Sequence, residues 1–354
     1  MDCLGFSLVF AKTLILYLAV IHTAPIMLWV ERKGAALIQD RPGPNRVGPF
    51  GLFQPIADFV KFLFKEDPIP THANRLLYLL GPFLVLMPAS LVIAAIPFGD
   101  KAIVFSREVS LQIADLDVGL IYILAIGSLG IYGILFGGWA SNNKFSLLGA
   151  MRSSSQIISY EIPLALAATG AVVIFGTFSL REMVLAQEGV IFGFLPNWGI
   201  VYQPLGFLLF FVSAFAETNR LPFDLPETEA ELVAGYHTEY GSMKFATFFM
   251  AEYMNLTSIS AMMVTLYFGG WHLPWVSDAI LLHSLGSQNL LAIVQLMTFF
   301  AKIGVFLCLF VWVRWTVPRF RFDQLMGLAW KNLIPLGLLN ILVTALLLYW
   351  WGTP

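Results

Sequence analysis

The sequence predicts an all-α, polytopic membrane protein, with about eight transmembrane helices plus an amphipathic surface helix in the first inner loop. Three observations carry that reading. Of 354 residues, 58% are hydrophobic and only 12% charged, with mean hydropathy +0.78. A soluble domain carries roughly 25% charged residues, so this chain cannot cover a water-facing surface of its size. The apolar residues fall in repeated blocks of about 20, the length that crosses a bilayer core. Lys and Arg are segregated, fifteen on one set of connections and three on the other.

The spans expected are 6–30, 76–97, 118–140, 157–178, 198–216, 245–268, 290–315 and 333–351. The fifth is interrupted by Gly199, Gln203 and Pro204. The first block is too long for a signal h-region and no small-residue cleavage site follows it, so it reads as a retained helix. The whole of 1–354 reads as one integral membrane domain with inner loops 31–75, 141–156, 217–244 and 316–332. These loops, with Arg314 just before the last, hold the fifteen basic residues, so the positive-inside rule sets them in the cytoplasm and both termini outside. Lys12 and Lys302 lie within spans. No internal repeat is visible, which argues against a transporter of duplicated halves.

Several chemistries are excluded. Net charge is −2, so nothing points to nucleic acid. Cys3 and Cys308 are far apart with no CxxC, so no disulfide framework, zinc site or iron–sulfur ligand set is expected. GxGxxG and Walker loops are absent as well. No metal and no cofactor is expected on this chain.

The inner connections carry the unusual residues. RPGPNRVGP, at 41–49, reads as turns. After it, Phe53, Ile56, Val60 and Leu63 share one helical face, while Gln54, Asp58, Lys61 and Lys65 share the other. This is an interfacial helix, either a simple anchor or one wall of an opening for a lipid-soluble molecule. The 217–244 loop carries six acids, Glu217, Asp224, Glu227, Glu229, Glu231 and Glu239, against Arg220 and Lys244. Asp224 and Glu227 read either as a helix cap and its capping-box partner or as members of a proton-exchanging cluster. Glu231, four residues after Glu227, sits where like charges repel on a helix.

Within spans, Glu161, Glu217 and Glu252 matter most, because burying a charge in lipid is costly. They read as a line of carboxylates entering the membrane, each with the alternative of an interfacial ion pair. Lys302 is the expected cationic partner for one of them, and Tyr253 the expected hydrogen-bond partner of Glu252. Glu217 is the expected first step inward from the acidic loop. Arg314, Arg319 and Arg321 read as headgroup anchors or as a docking surface for a partner subunit.

Four blocks then resemble a known family in the same order: ERKGAALIQDRPGPNRVGPFGLFQPIADFVKFLFKEDPIP at 31–70, GWASNNKFSLLGAMRSSSQIISYEIPLAL at 138–166, AETNRLPFDLPETEAELVAGYHTEY at 216–240 and RWTVPRFRFDQLMGLAWKNLIPL at 314–336. They resemble the H subunits of bacterial NADH:quinone oxidoreductase (respiratory complex I), counterparts of mitochondrial complex I subunit 1. The resemblance spans essentially the whole chain. It implies a membrane subunit at the junction of the two arms, lining the quinone-access chamber and starting the proton path. It implies quinone as substrate, with FMN and iron–sulfur clusters held by partner subunits. The partners implied are the peripheral quinone-site and terminal iron–sulfur subunits and the rest of the membrane arm, in a bacterial inner membrane.

Carried over by motif, Glu31, Arg32 and Asp58 fall in the quinone-access region, where Arg41 and Arg46 order the loop. Ala57 and Lys61 belong to the same surface helix, and a bulky residue at Ala57 is expected to narrow the opening. Glu161, Glu217 and Glu252 match the intramembrane carboxylates, and Asp224, Glu227, Glu229 and Glu231 the acidic loop of the proton relay. One departure stands: some members carry a further Glu in the third span, where this chain has Ser128. The number of carboxylates in the relay stays open. Two other readings remain, an equivalent subunit of a hydrogenase-type complex and a stand-alone proton-coupled transporter.

Overall fold

The computed structural model describes residues 3–351 apart from 192 and 227, with the side chains of 3, 4, 229, 230 and 351 outside the description. Each block expected to span is helical. Among the described residues, six helices are long and apolar enough to cross a membrane: Gly5–Ile38, Arg75–Ala95, Gly119–Ala140, Lys144–Phe175, Gln288–Thr316 and Phe322–Trp350.

The chain opens with α1 (Cys3–Ile38), which runs well past the expected end of the first span. The interfacial helix α2 (Gln54–Phe64) lies where the apolar stripe indicates, and Phe53, Ile56, Val60 and Leu63 are all exposed. Between α1 and α2 the chain turns tightly. Gly51 has φ +74°, and a Cβ there would run into the Pro44 carbonyl, so the turn accepts only glycine. The Trp29 indole donates to the Phe50 carbonyl (3.1 Å), tying the turn to α1.

Next come α3 (Arg75–Val92) and a hairpin of β1 (Pro97–Val104) and β2 (Arg107–Gln112). The third span divides at Leu129 into α4 (Gly119–Ser128) and α5 (Gly130–Ala140). There, hydrogen bonds of the i→i+3 kind replace the regular ladder. Helices α3 and α5 meet through small residues, since a Cβ on Gly133 would lie 2.5 Å from Val85.

The long α6 (Lys144–Phe175) starts at an Asn143 cap, well before the expected 157, and so joins the inner connection to the membrane. Then follow α7 (Leu180–Ala186), the short hairpin β3 (Val190–Ile191) and β4 (Leu195–Pro196), α8 (Gly199–Tyr202) and α9 (Pro204–Glu217). The fifth span is thus broken at Gln203, as its Gly and Pro indicate. The Gln203 amide is itself satisfied by the Thr344 hydroxyl (2.7 Å).

After α10 (Glu229–Leu232) comes α11 (Ser242–Tyr267), polar for a span but the most enclosed of them. Every residue from Leu256 to Tyr267 is buried. Its Thr257, Ser260 and Thr265 hydroxyls donate to carbonyls one turn back, at 2.8–2.9 Å, so they cost little in an apolar setting. The chain closes with α12 (Asp278–Leu285), α13 (Gln288–Thr316), α14 (Phe322–Gly327), a π-helical turn Leu328–Leu333 and α15 (Ile334–Trp351).

Charged side chains from distant connections pair at the two ends of the helices. At one end, Arg152 reaches Glu231 (2.5 Å), Arg319 reaches Asp224 (3.2 Å), Lys244 reaches Asp67 (2.9 Å) and the Asn143 amide reaches Glu239 (2.6 Å). At the other, Arg181 holds Asp100 (2.5 Å) and Asp115 (3.4 Å). The two hairpins lie at this second end, where the sequence indicates only plain connections. Lys302 departs from expectation too. Its ammonium donates to the carbonyls of Phe268, Gly270 and His272 at 2.6–2.9 Å, capping the end of α11 and pairing with none of the three carboxylates.

Candidate functional site

The site is built where α1, α11, α13 and the 217–244 loop converge. Glu31 lies near the C-terminal end of α1, buried. Arg220 approaches it from the loop, with Nη1 donating to both carboxylate oxygens at 3.2 and 3.3 Å. Arg314, from the end of α13, closes on the same carboxylate, and the Tyr253 hydroxyl donates to Oε2 (2.7 Å). The other side of Arg220 faces Glu252 on α11. There Nε lies 2.8 Å from Oε1, an ion-pair contact without hydrogen-bond alignment. The guanidinium also stacks over the Tyr253 ring, 4.4 Å from its centre.

A guanidinium only 5% exposed is expensive to bury. Burial opposes its charge, but Glu252 and Glu31 on either side outweigh that and hold Arg220 protonated, well above its ordinary value. In the same loop, burial pushes the His237 imidazole down to about 4, so it is neutral at physiological pH.

A cavity of about 410 Å³ opens beside this cluster. Glu31, Arg32 and Arg41 line it with Ala35, Ala36, Phe249, Tyr253, Arg314 and the Pro42–Pro44 turn. Its volume and mostly apolar wall, with a few convergent charges, are those of a small-molecule site. Arg32 also bridges to Asp58 (2.6 Å), which joins α2 to this wall. Lys61 stands 3.9 Å from Asp58 and is mostly exposed. Arg46 and Ala57 are exposed and do not line the cavity.

The three intramembrane carboxylates form two groups, not one line. Glu252 belongs with Glu31 and Arg220. Glu217 and Glu161 belong together, interacting electrostatically, and Glu161 lies within hydrogen-bonding reach of the Ser128 hydroxyl. The residue that replaces a carboxylate thus touches one. Glu217 borders a second cavity of about 30 Å³ with Gly127, Thr218, Asn255 and Ser258. Its Oε2 is shut from solvent with no partner among the described residues. The rest of the cavity wall is aliphatic, and the cavity's volume is about that needed for one water. Asn255 lies one helical turn from Glu252, so α11 runs past both groups.

Two expectations are corrected here. Tyr253 bonds Glu31, not Glu252. Glu252, not Glu217, lies next to the loop cluster, because the loop folds back and drives Arg220 against α11.

The acidic loop differs as well. Asp224 caps no helix: α10 starts at Glu229 and is four residues long, and Asp224 is held by Arg319. Glu231 meets Arg152, so it is not left among like charges. Glu227 lies outside the described residues, as does the Glu229 side chain. The reading of Arg314 and Arg319 as lipid or partner anchors gives way to internal ion pairs, while Arg321 pairs locally with Asp323 (3.0 Å).

Sequence reasoning missed Arg220 as the joint of the site, and Arg152, Arg314 and Arg319 as partners of the acids. The available signal was numerical: six acids in one loop need cations from elsewhere, and the other inner loops are basic.

Comparison with known proteins agrees with this architecture. The profile of the family described as NADH dehydrogenase matches residues 11–345. The chain is 51% identical over 316 residues to an H subunit of the NADH-quinone oxidoreductase of Cytophaga hutchinsonii, covering 89% of each. It is 45% identical over 366 aligned positions to the corresponding H subunit of Bdellovibrio bacteriovorus, covering 96% of this chain and 95% of that one. It is 46% identical over 338 to an H subunit of Geobacter metallireducens, covering 96% and 95%. The chain belongs to the family of H subunits of NADH-quinone oxidoreductase.

Proposed function

We infer that this chain is the membrane subunit that admits quinone to a proton-translocating NADH:quinone oxidoreductase and passes the electrostatic effect of its reduction into the membrane. The single observation that carries this is the Glu31–Arg220–Glu252 cluster. One of its carboxylates walls the 410 Å³ cavity, and the other belongs to the central helix α11. A charge change in the cavity alters the balance around Arg220, and so the proton affinity of Glu252. Glu217, beside the small cavity, and its electrostatic neighbour Glu161 answer in turn, and coupled carboxylates titrate as a group. Asp224 and Glu231, and with them Glu227 and Glu229, adjust on the loop side. The redox chemistry belongs to FMN and iron–sulfur clusters in partner subunits.

The experiment is a comparison of two routes. Ala36→Leu narrows the cavity and should raise the apparent KM for quinone roughly tenfold, about 1.4 kcal/mol of lost binding. Electron transfer from NADH to a soluble artificial acceptor should not change. Ala57→Phe, on the exposed face of α2, should do much less. A large effect at Ala57 with none at Ala36 moves the route out of this cavity and onto the surface helix.

The charge asymmetry supports inner loops in the cytoplasm of a bacterium and both termini outside. In a background lacking Cys3 and Cys308, cysteine at exposed Phe105 or Trp275 should label from outside in sealed cells. Cysteine at Asn45 or Val233 should label only after the membrane is opened. The reverse pattern inverts the orientation.

A further inference from the structure

The end opposite the quinone cavity carries a second cluster that the proton path does not use. Glu188 follows α7, His272 lies in the turn after α11, and Asp278 opens α12. One donor atom from each lies within 4.8 Å of the others. We propose that Glu188, His272 and Asp278 form a binding site for a divalent transition-metal cation of the zinc class.

The buried atoms carry the argument. His272 is 2% exposed, yet neither ring nitrogen has a hydrogen-bond partner among the described residues. Its Nδ1 lies 3.2 Å from Asp278 Oδ2, close enough for an ion pair but not aligned as a hydrogen bond. Asp278 Oδ1 is also buried without a partner among the described residues. Buried polar atoms without partners are uncommon and call for a ligand or ion. Zinc bonds of about 2.0–2.2 Å set tetrahedral donors roughly 3.3–3.5 Å apart, close to the observed separation. An imidazole beside carboxylates selects zinc-class ions over magnesium or calcium.

The surroundings hold the donors in place. The Gln295 amide donates to Asp278 Oδ2 (2.8 Å) and accepts from the Asp100 backbone (3.1 Å). The Asp278 backbone N–H donates to Glu188 Oε1 (3.0 Å). The nearby Lys302 ammonium, the one cationic group bonded to this turn among the described residues, directs its protons to three backbone carbonyls. Glu188 is exposed, which leaves a path from water and room for water as a fourth ligand. The site differs from the cysteine arrangements that the sequence excludes, since it uses none.

The test uses the intact complex, stripped with a chelator and dialysed against Zn2+ alone, with bound metal counted. Native complex should hold one Zn2+ more than complexes carrying His272→Ala or Asp278→Asn. Glu188→Gln, at the surface where it cannot disturb packing, should also weaken that site. Gln295→Ala, which removes the group orienting Asp278, should weaken it about tenfold or more. NADH-to-quinone turnover in metal-free buffer should be retained in Glu188→Gln and serves as the folding control. Equal zinc content in native, His272→Ala and Glu188→Gln complexes overturns the proposal. Loss with His272→Ala alone reduces the site to an isolated histidine and overturns it too. Neither outcome bears on quinone access.

Discussion

Arg220→Leu is expected to abolish quinone-linked turnover and to destabilise the membrane subunit by about 3–5 kcal/mol, the cost of leaving a buried partner charge uncompensated. Arg220 is the cation between Glu31 and Glu252, 5% exposed, and Arg314 can compensate only the Glu31 side. Arg220→Lys keeps the charge but not the planar fork that reaches both carboxylates, so it should fall between native and leucine. The double variant Arg220→Leu with Glu252→Gln should recover part of the lost stability, because it removes the stranded charge, but should not recover turnover. The measurements are the unfolding temperature of the purified complex and its quinone-linked rate, beside NADH oxidation by an artificial acceptor. Native stability and turnover in Arg220→Leu would remove the cluster from the mechanism.

The second large effect is expected at Glu217. Glu217→Gln keeps shape and hydrogen bonding but removes the exchangeable proton. Its Oε2 faces a cavity of about 30 Å³ and no cation among the described residues, so the change breaks no ion pair there. It should assemble normally and still pass electrons from NADH to an artificial acceptor. Quinone turnover and proton pumping should fall together by tenfold or more, about 1.4 kcal/mol on the limiting step. Glu252→Gln should lose both as well, but it also strips a partner from Arg220, so a fall in stability accompanies it. Glu217→Gln is therefore the cleaner variant. Pumping at the native ratio and rate in vesicles carrying Glu217→Gln would reduce this residue to packing.

Particular elements show how far sequence reasoning reached. The block 245–268 was identifiable as a helix by its length, although Ser242–Tyr267 falls below the hydropathy of the other spans. Its Thr257, Ser260 and Thr265 hydroxyls are harmless because they bond their own helix and face protein. The break at 203–204 was legible from Gly, Gln and Pro. The divided third span was not, because nothing in AIGSLGIYG breaks a helix as Pro does. The cap reading of Asp224 failed because a local pattern competed with Arg319, 95 residues away, and the ion pair prevailed.

By itself the sequence determined that the chain is a helical membrane protein and which residue types carry charge. These follow from local composition, because bilayer thickness fixes span length and lipid excludes unpaired charge. Only the tertiary structure decided which charges meet. Arg220 and Glu31 are 189 residues apart, and Tyr253 and Glu31 are 222 apart. No periodicity encodes such a pairing. It follows from helix packing that brings the ends of α1, α11 and α13 to one place, where each buried charge must find a partner of opposite sign. That packing sets Glu252 beside the 410 Å³ cavity and Glu217 beyond it, an order that chain position alone reverses.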